Sequence, residues 1–185
     1  MKNKITITII CAVLSCVCLI GTTFAWLTAK TDPLTNTFTV GDINITLTEG
    51  NALDLKMIPG RTITKDPKVT VKKDSEACWV FVKIEKSTNF DTFMEYALAD
   101  GWIQLKNGET PIDGVFYREV ALNANDQPFY VLAGNVVTVK NTVTKDDMDG
   151  LDNASKYPTL TFTAYAVQSD NVADAYTAWG YATNP

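Results

Sequence analysis

The sequence predicts an all-β fold, an antiparallel β-sandwich that carries one or two short peripheral helices. Three observations support this fold class. Nine or ten short segments rich in β-branched and aromatic residues recur along the chain, turn residues separate them, and several alternate between apolar and polar side chains with a period of two. Strands that follow one another in this way favour a sandwich over a βαβ fold.

The predicted strands differ in how much of each face they bury. Residues 43–48 alternate strictly between apolar and polar side chains, as in a strand with one solvent-exposed face. Residues 79–85 keep one face apolar throughout, whereas the other face changes from aromatic to charged side chains, so this strand leaves the core part-way along. In chain order, the predicted strands are 37–40, 43–48, 68–72, 79–85, 102–105, 115–120, 129–132, 136–139 and 159–167.

Two segments have the spacing of an amphipathic helix instead of a strand. In the first, Asn89 is placed to cap the helix and Gly101 lies just past its end. Such stripes usually pack against the core, so both helices are predicted to lie at the periphery of the sandwich. The two apolar stripes consist of Phe90, Phe93, Met94, Ala97 and Leu98, and of Val172, Ala175, Tyr176 and Trp179.

Residues 1–25 have the organisation of a secretory signal peptide. Two lysines precede an apolar run over residues 5–20, and small residues then lead to a cleavage site between Ala25 and Trp26. Two alternatives remain open. The apolar run is long enough for an uncleaved anchor, since a membrane span takes about 20 residues, and the sequence that ends at Cys16 is similar to a lipobox.

Export would leave an acidic domain that is held together by packing alone. Without the two leader lysines, 14 of the 16 basic residues remain against 21 acidic residues, a net charge of −7. This charge argues against binding to nucleic acid or to anionic lipid. Cys78 is the one cysteine after residue 25, so no intrachain disulfide forms, and its apolar surroundings predict a buried side chain. We expect one sandwich domain over residues 37–185, preceded by an extended segment over residues 26–36.

The sequence contains no pattern of catalytic residues. It has no histidine, which excludes Ser-His-Asp and Cys-His sites and the H-E-x-x-H motif of zinc proteases. The densest group of carboxylates resembles part of a calcium-binding loop, although Lys145 and Lys156 occupy two of the defining ligand positions. A weak calcium site and a solvated loop are the two interpretations of this group, and no other cofactor is predicted. The group consists of Asp146, Asp147, Asp149 and Asp152.

Five segments of the chain carry a family resemblance. They are residues 22–29, 36–47, 59–67, 78–85 and 160–168, and together they resemble the TasA/camelysin family of exported proteins from Gram-positive bacteria. The resemblance implies a jelly-roll-like β-sandwich that forms fibres of the biofilm matrix, and a leader that a dedicated signal peptidase removes. Some relatives carry a metalloprotease label, which a chain without histidine does not support.

In such fibres, the N-terminal segment of one subunit adds as a strand to the next subunit. The residues suit this role independently of the resemblance. Cleavage would free the apolar side chains of Trp26, Leu27 and Leu34, and a sheet edge with unpaired N–H and C=O groups accepts an added strand. A head-to-tail contact of this kind grows a filament when it does not close a ring. Pro33 cannot donate to the ladder and limits the donor segment. The alternative is a disordered chain terminus.

The sequence therefore predicts a secreted, non-enzymatic structural protein of the extracellular matrix or cell surface. Its expected partners are other copies of itself and, during export, the signal peptidase, and membrane contact is expected only through the uncleaved leader. Aromatic residues such as Trp79, Tyr117 and Trp179 leave open a cell-surface sandwich that binds carbohydrate or protein, although core packing is the commoner role of such side chains. A camelysin-like metalloprotease is the third hypothesis.

Overall fold

The described residues of the computed structural model, 41–50 and 56–184, form ten strands that pair antiparallel. They belong to one compact unit, Val40–Pro185, and the predicted strand 37–40 lies outside them. The strands are β1 (Ile45–Thr48), β2 (Thr62–Thr64), β3 (Lys68–Val71), β4 (Cys78–Lys86), β5 (Met94–Glu95), β6 (Ile103–Asn107), β7 (Thr110–Val120), β8 (Gln127–Tyr130), β9 (Val136–Val139) and β10 (Leu160–Gln168). The helices are α1 (Phe90–Phe93), α2 (Lys145–Asp149) and α3 (Ala175–Thr183), with 3₁₀ turns at Ala133–Asn135 and Ala154–Lys156.

The strands form two layers. One layer is the sheet β10-β4-β7-β6, and the other consists of the sheets β1-β3-β8 and β2-β9-β5. Backbone bonds from Lys65 N to Asn135 O (2.8 Å) and from Val131 N to Pro67 O (2.9 Å) connect these two sheets along one ribbon. In the sequence, the β4–β7 pair is enclosed by the pairs β3–β8 and β2–β9. Such nesting of long-range antiparallel pairs gives a jelly-roll-like sandwich, which confirms the predicted fold class.

Strand β4 contributes to packing on both of its faces. One face places Val80 and Val82 in the main core, where they pack with Val69, Val71 and Val139 of the opposite layer. The other face places aromatic side chains in a second apolar cluster, on the outer surface of the sheet. Towards its end this outer face becomes charged and half-exposed, as the sequence predicts.

Helix α3 covers the second cluster. Ala175 and Ala178 are buried against the sheet, and the Trp179 ring lies 5.3 Å from the Phe81 ring and 5.1 Å from the Tyr165 ring. The helix begins at an N-cap, since a carboxylate oxygen of Asp174 accepts a hydrogen bond from Thr177 N at 2.7 Å. The predicted C-terminal helix is confirmed.

The helix predicted over the first apolar stripe is mostly wrong. Helix α1 ends at Phe93, and Met94 pairs with Val139 as part of β5. From Met94 to Leu98, burial alternates between successive residues, as in a strand. Asn89 makes no side-chain cap and instead donates to Lys156 O at 2.7 Å. Pairing with β9 therefore stabilises Met94 and Glu95 as a strand, because a short helix gains little from one additional turn.

The sequence also missed β2, because three residues between turns give no clear alternation. Leu47 is more exposed than predicted, since β1 lies at the edge of its sheet and pairs only with β3 among the described strands.

We expect Phe81→Ala to lower the free energy of unfolding by about 3–5 kcal/mol. The buried Phe81 ring lies in a cluster with side chains of β6, β7 and α3, and its removal leaves a cavity. Ile103→Ala on β6 is the matched control. Its side chain is 54% exposed, so its loss should cost less than about 1 kcal/mol. Chemical denaturation of the two variants measures the difference, and equal losses would contradict a core position for Phe81.

Candidate functional site

The residues predicted to act at the leader junction lie outside the described part of the chain. These are the cleavage residues Ala25 and Trp26 and the donor-segment residues Trp26, Leu27 and Leu34. Within residues 41–50 and 56–184, no helix combines the length and the apolarity that a membrane span requires.

An apolar groove of about 950 Å³ opens where β2 and β10 border the core. Its floor is made of buried residues that belong to the main core, namely Ile63, Phe90, Met94 and Val137. Its rim exposes apolar surface, since Ile58 is 49% and Tyr157 is 52% exposed. The remaining lining residues are Lys56, Met57, Lys65, Met148, Leu151, Pro158, Thr159 and Leu160.

Two strands with an unpaired edge contribute to this groove. Among the described strands, β2 pairs only with β9, and β10 pairs only with β4. One side of each strand thus has no ladder partner in this part of the chain. The same place offers unpaired backbone groups for hydrogen bonding and an apolar floor for side chains, which are the two requirements for accepting an added strand.

Charges lie at the rim of the groove. The Lys65 ammonium forms an ion pair with Glu49 and lies 5.7 Å from the centre of the Phe162 ring. Next to this pair, Gly50 N donates to a carboxylate oxygen of Asp66 at 2.8 Å. The two contacts hold the end of β1 against the bend between β2 and β3. None of the described lining residues is a carboxylic acid or a thiol, and the mostly apolar lining is suited to binding.

Three of the four predicted calcium ligands have partners within the protein. Asp147 forms a capping box with Thr144, and hydrogen bonds from the hydroxyl and the backbone N–H of Thr144 lower the pKa of Asp147. Asp149 pairs with Lys145, and Asp152 pairs with Lys156 at 3.0 Å. In the described ranges, no three His, Cys, Asp or Glu side chains are grouped so that they could hold a metal ion. Calcium binding by this group, which includes the exposed Asp146, stays a prediction.

Most of the aromatic side chains are used in packing. Trp79 lies edge-on to Tyr117 at 5.7 Å in the cluster beneath α3. The Arg118 guanidinium stacks between Phe129 at 4.1 Å and Trp102 at 5.0 Å. These contacts agree with the core-packing interpretation, whereas the exposed aromatic side chains of the described residues are those of Tyr130, Tyr157, Tyr176 and Tyr181.

Sequence reasoning did not find the groove. Its lining comes from separate segments of the chain that the fold brings together, and one of them was assigned to a helix. A usable signal was present in the composition: Met57, Met94 and Met148 are all the methionines after Met1, and all three line the groove.

Cys78 is a buried, neutral thiol. It is fully buried at the start of β4, and desolvation raises its pKa to about 11. The predicted role as a small apolar core residue is confirmed, because a thiol with this pKa is protonated and unreactive at neutral pH.

The raised pKa predicts a loss of stability at high pH. Between the ordinary thiol pKa of about 8.5 and 11, the unfolded chain loses the Cys78 proton while the folded chain keeps it, so the unfolded state binds fewer protons and stability falls as pH rises. Over this range we expect the stability of the wild type to decline by about 2–3 kcal/mol more than that of Cys78→Ala. Denaturation at pH 8 and pH 11 tests this, and an identical decline in both proteins would contradict it.

We expect calcium to cause little or no rise in Tm, because three carboxylates would have to give up their protein partners to bind it. Thermal unfolding with calcium and with a chelator measures this. A rise in Tm that Asp149→Asn abolishes would instead demonstrate a calcium site.

A model of the camelysin metallo-endopeptidase family matches residues 1–89. Comparisons with curated proteins and with solved structures found no match. The name of this family implies a metal ion, but the chain has no histidine, and the described residues include no group of donors that fits a catalytic zinc site. The match covers just under half of the chain, and it confirms the resemblance inferred from the sequence.

Proposed function

We propose that this protein is an exported structural subunit of an extracellular matrix fibre, and that the N-terminal segment of one copy docks as an added strand in the apolar groove of the next copy. The observation that carries the proposal is the combination in one place of an apolar floor and the unpaired edges of β2 and β10. The match of residues 1–89 to the camelysin family model supports it.

The dimensions of the donor segment suit this edge. Residues 26–34 are nine residues long, as is β10, and nine extended residues span about 30 Å. Burial of the Trp26 side chain would remove roughly 200 Å² of surface from water. At about 25 cal/mol per Å² this contributes about 5 kcal/mol, which has to offset the entropy lost when the segment becomes ordered.

The same contact repeats along a fibre. The groove and the donor segment are different surfaces, so each copy can accept one neighbour and donate to another, and growth is linear when the rotation does not close a ring. A net charge of −7 on the mature chain makes the subunits repel one another at long range. Added salt screens this repulsion and should favour assembly.

The leader ties this assembly to export. While residues 1–25 are attached, Trp26 follows directly on an apolar segment that the export machinery holds in the membrane. Cleavage after Ala25 by a signal peptidase would release Trp26 at a new chain end. Assembly would then begin outside the cell, in the matrix or at the cell surface.

A cell-surface binding module is the second candidate function. The same groove would then hold an apolar segment of a different protein, and the mature chain would remain monomeric. An apolar lining with few hydrogen-bonding side chains favours a peptide over a carbohydrate. The metalloprotease hypothesis has no support from the donor residues of this chain, and a casein assay with and without a chelator tests it directly.

We expect the mature chain from Trp26 to form filaments and a chain that lacks residues 26–34 to stay monomeric. Ile58→Glu should raise the protein concentration needed for assembly at least tenfold, because it places a charge on the apolar rim. Leu122→Glu is the matched control, since this side chain is 59% exposed and lies outside the groove. Electron microscopy and analytical ultracentrifugation measure assembly.

A different experimental result would contradict each part of the proposal. Filaments that persist after the deletion would rule out the donor mechanism. Equal effects of Ile58→Glu and Leu122→Glu would rule out the groove as the acceptor. A monomeric wild-type chain whose Tm rises with an added peptide ligand would favour the binding module.

A further inference from the structure

Three methionine side chains line the apolar groove. Met57, Met94 and Met148 come from three distant parts of the sequence, and all of them line this groove. Methionine is flexible and polarizable, so it suits a surface that adapts to an apolar partner. It is also the apolar side chain that an oxidant most readily converts into a polar one.

The three methionines differ in access to solvent. Met57 on the rim and Met148 in α2 are partly exposed, whereas Met94 is only 8% exposed. Cys78, the other sulfur in the described residues, is fully buried and neutral at physiological pH. The thioethers of Met57 and Met148 are therefore the sulfur atoms that a small oxidant reaches first in this part of the chain.

We propose that Met57 and Met148 form a modification site for peroxide, and that their oxidation closes the groove to its apolar partner. In this step the thioether sulfur takes one oxygen atom from hydrogen peroxide, which is reduced to water, and the product is methionine sulfoxide. No bond of the main chain changes, and methionine sulfoxide reductase can reverse the reaction. Export takes the protein into surroundings in which such peroxide has access to it.

Oxidation would weaken docking because methionine sulfoxide is polar. A sulfoxide oxygen in the groove would lose its water when an apolar segment binds, and the lining offers it few hydrogen-bond donors. We expect binding of an apolar partner to weaken about tenfold, which corresponds to about 1.4 kcal/mol. The effect on fibre assembly rests on the proposed function, whereas the oxidation itself does not.

The mature wild-type chain treated with hydrogen peroxide is the test. Peptide mass spectrometry should find sulfoxide at Met57 and Met148 before Met94. The affinity for anilinonaphthalene sulfonate, a dye that binds apolar surface, should fall about tenfold, as should the extent of filament assembly. The double variant Met57→Leu/Met148→Leu keeps the groove apolar and should resist peroxide in both assays. Met94→Leu is the matched control and should remain sensitive.

The outcomes separate the two proposals. Sulfoxide at Met94 first, unchanged dye binding after oxidation, or equal inhibition of the double leucine variant would overturn the modification site. Failure of the untreated wild-type chain to assemble would count against the proposed function alone, because dye binding needs no filament. Loss of the dye signal in Ile58→Glu confirms that the dye occupies the groove.

Discussion

Strand β4 has to bury side chains on both of its faces, and both layers of packing depend on it. Its inner face joins the two sheets, and its outer face holds α3 through Phe81. It also pairs with β10 on one side and β7 on the other. The groove borders β10, the neighbour of β4, which has no ladder partner on its far side among the described strands.

The sequence predicted the strands best where side-chain pattern and pairing agree. Residues 136–139 were assigned with their observed bounds, because a short β-branched run between turns is unambiguous. The helix predicted for Met94 to Leu98 was wrong. Apolar residues three and four positions apart fit a continuous helix, but they also fit one helical turn followed by a strand. Long-range pairing with β9 decides between them, and that partner is more than 40 residues away.

The candidate site was less predictable than the fold. The donor segment stays a prediction, which rests on the position of Trp26, Leu27 and Leu34 after a predicted leader. The groove proposed as the acceptor was missed, because residues such as Ile58 and Leu160 are far apart in the sequence and only the fold brings them together. The acidic stretch over residues 146–152 is a different case, because its sequence pattern fitted more than one interpretation. Its composition left a weak calcium site and a solvated loop as alternatives, and the structure shows that one of its carboxylates, Asp147, caps a helix.

The pairing of β4 with β10 also has a mechanical consequence. The two strands match over nine consecutive residue pairs, from Leu160 opposite Lys86 to Gln168 opposite Cys78. A force applied along these strands loads their hydrogen bonds side by side, so many have to break together before the sheet can slide. A chain with one cysteine after residue 25 can in this way resist tension through strand geometry, without a covalent cross-link.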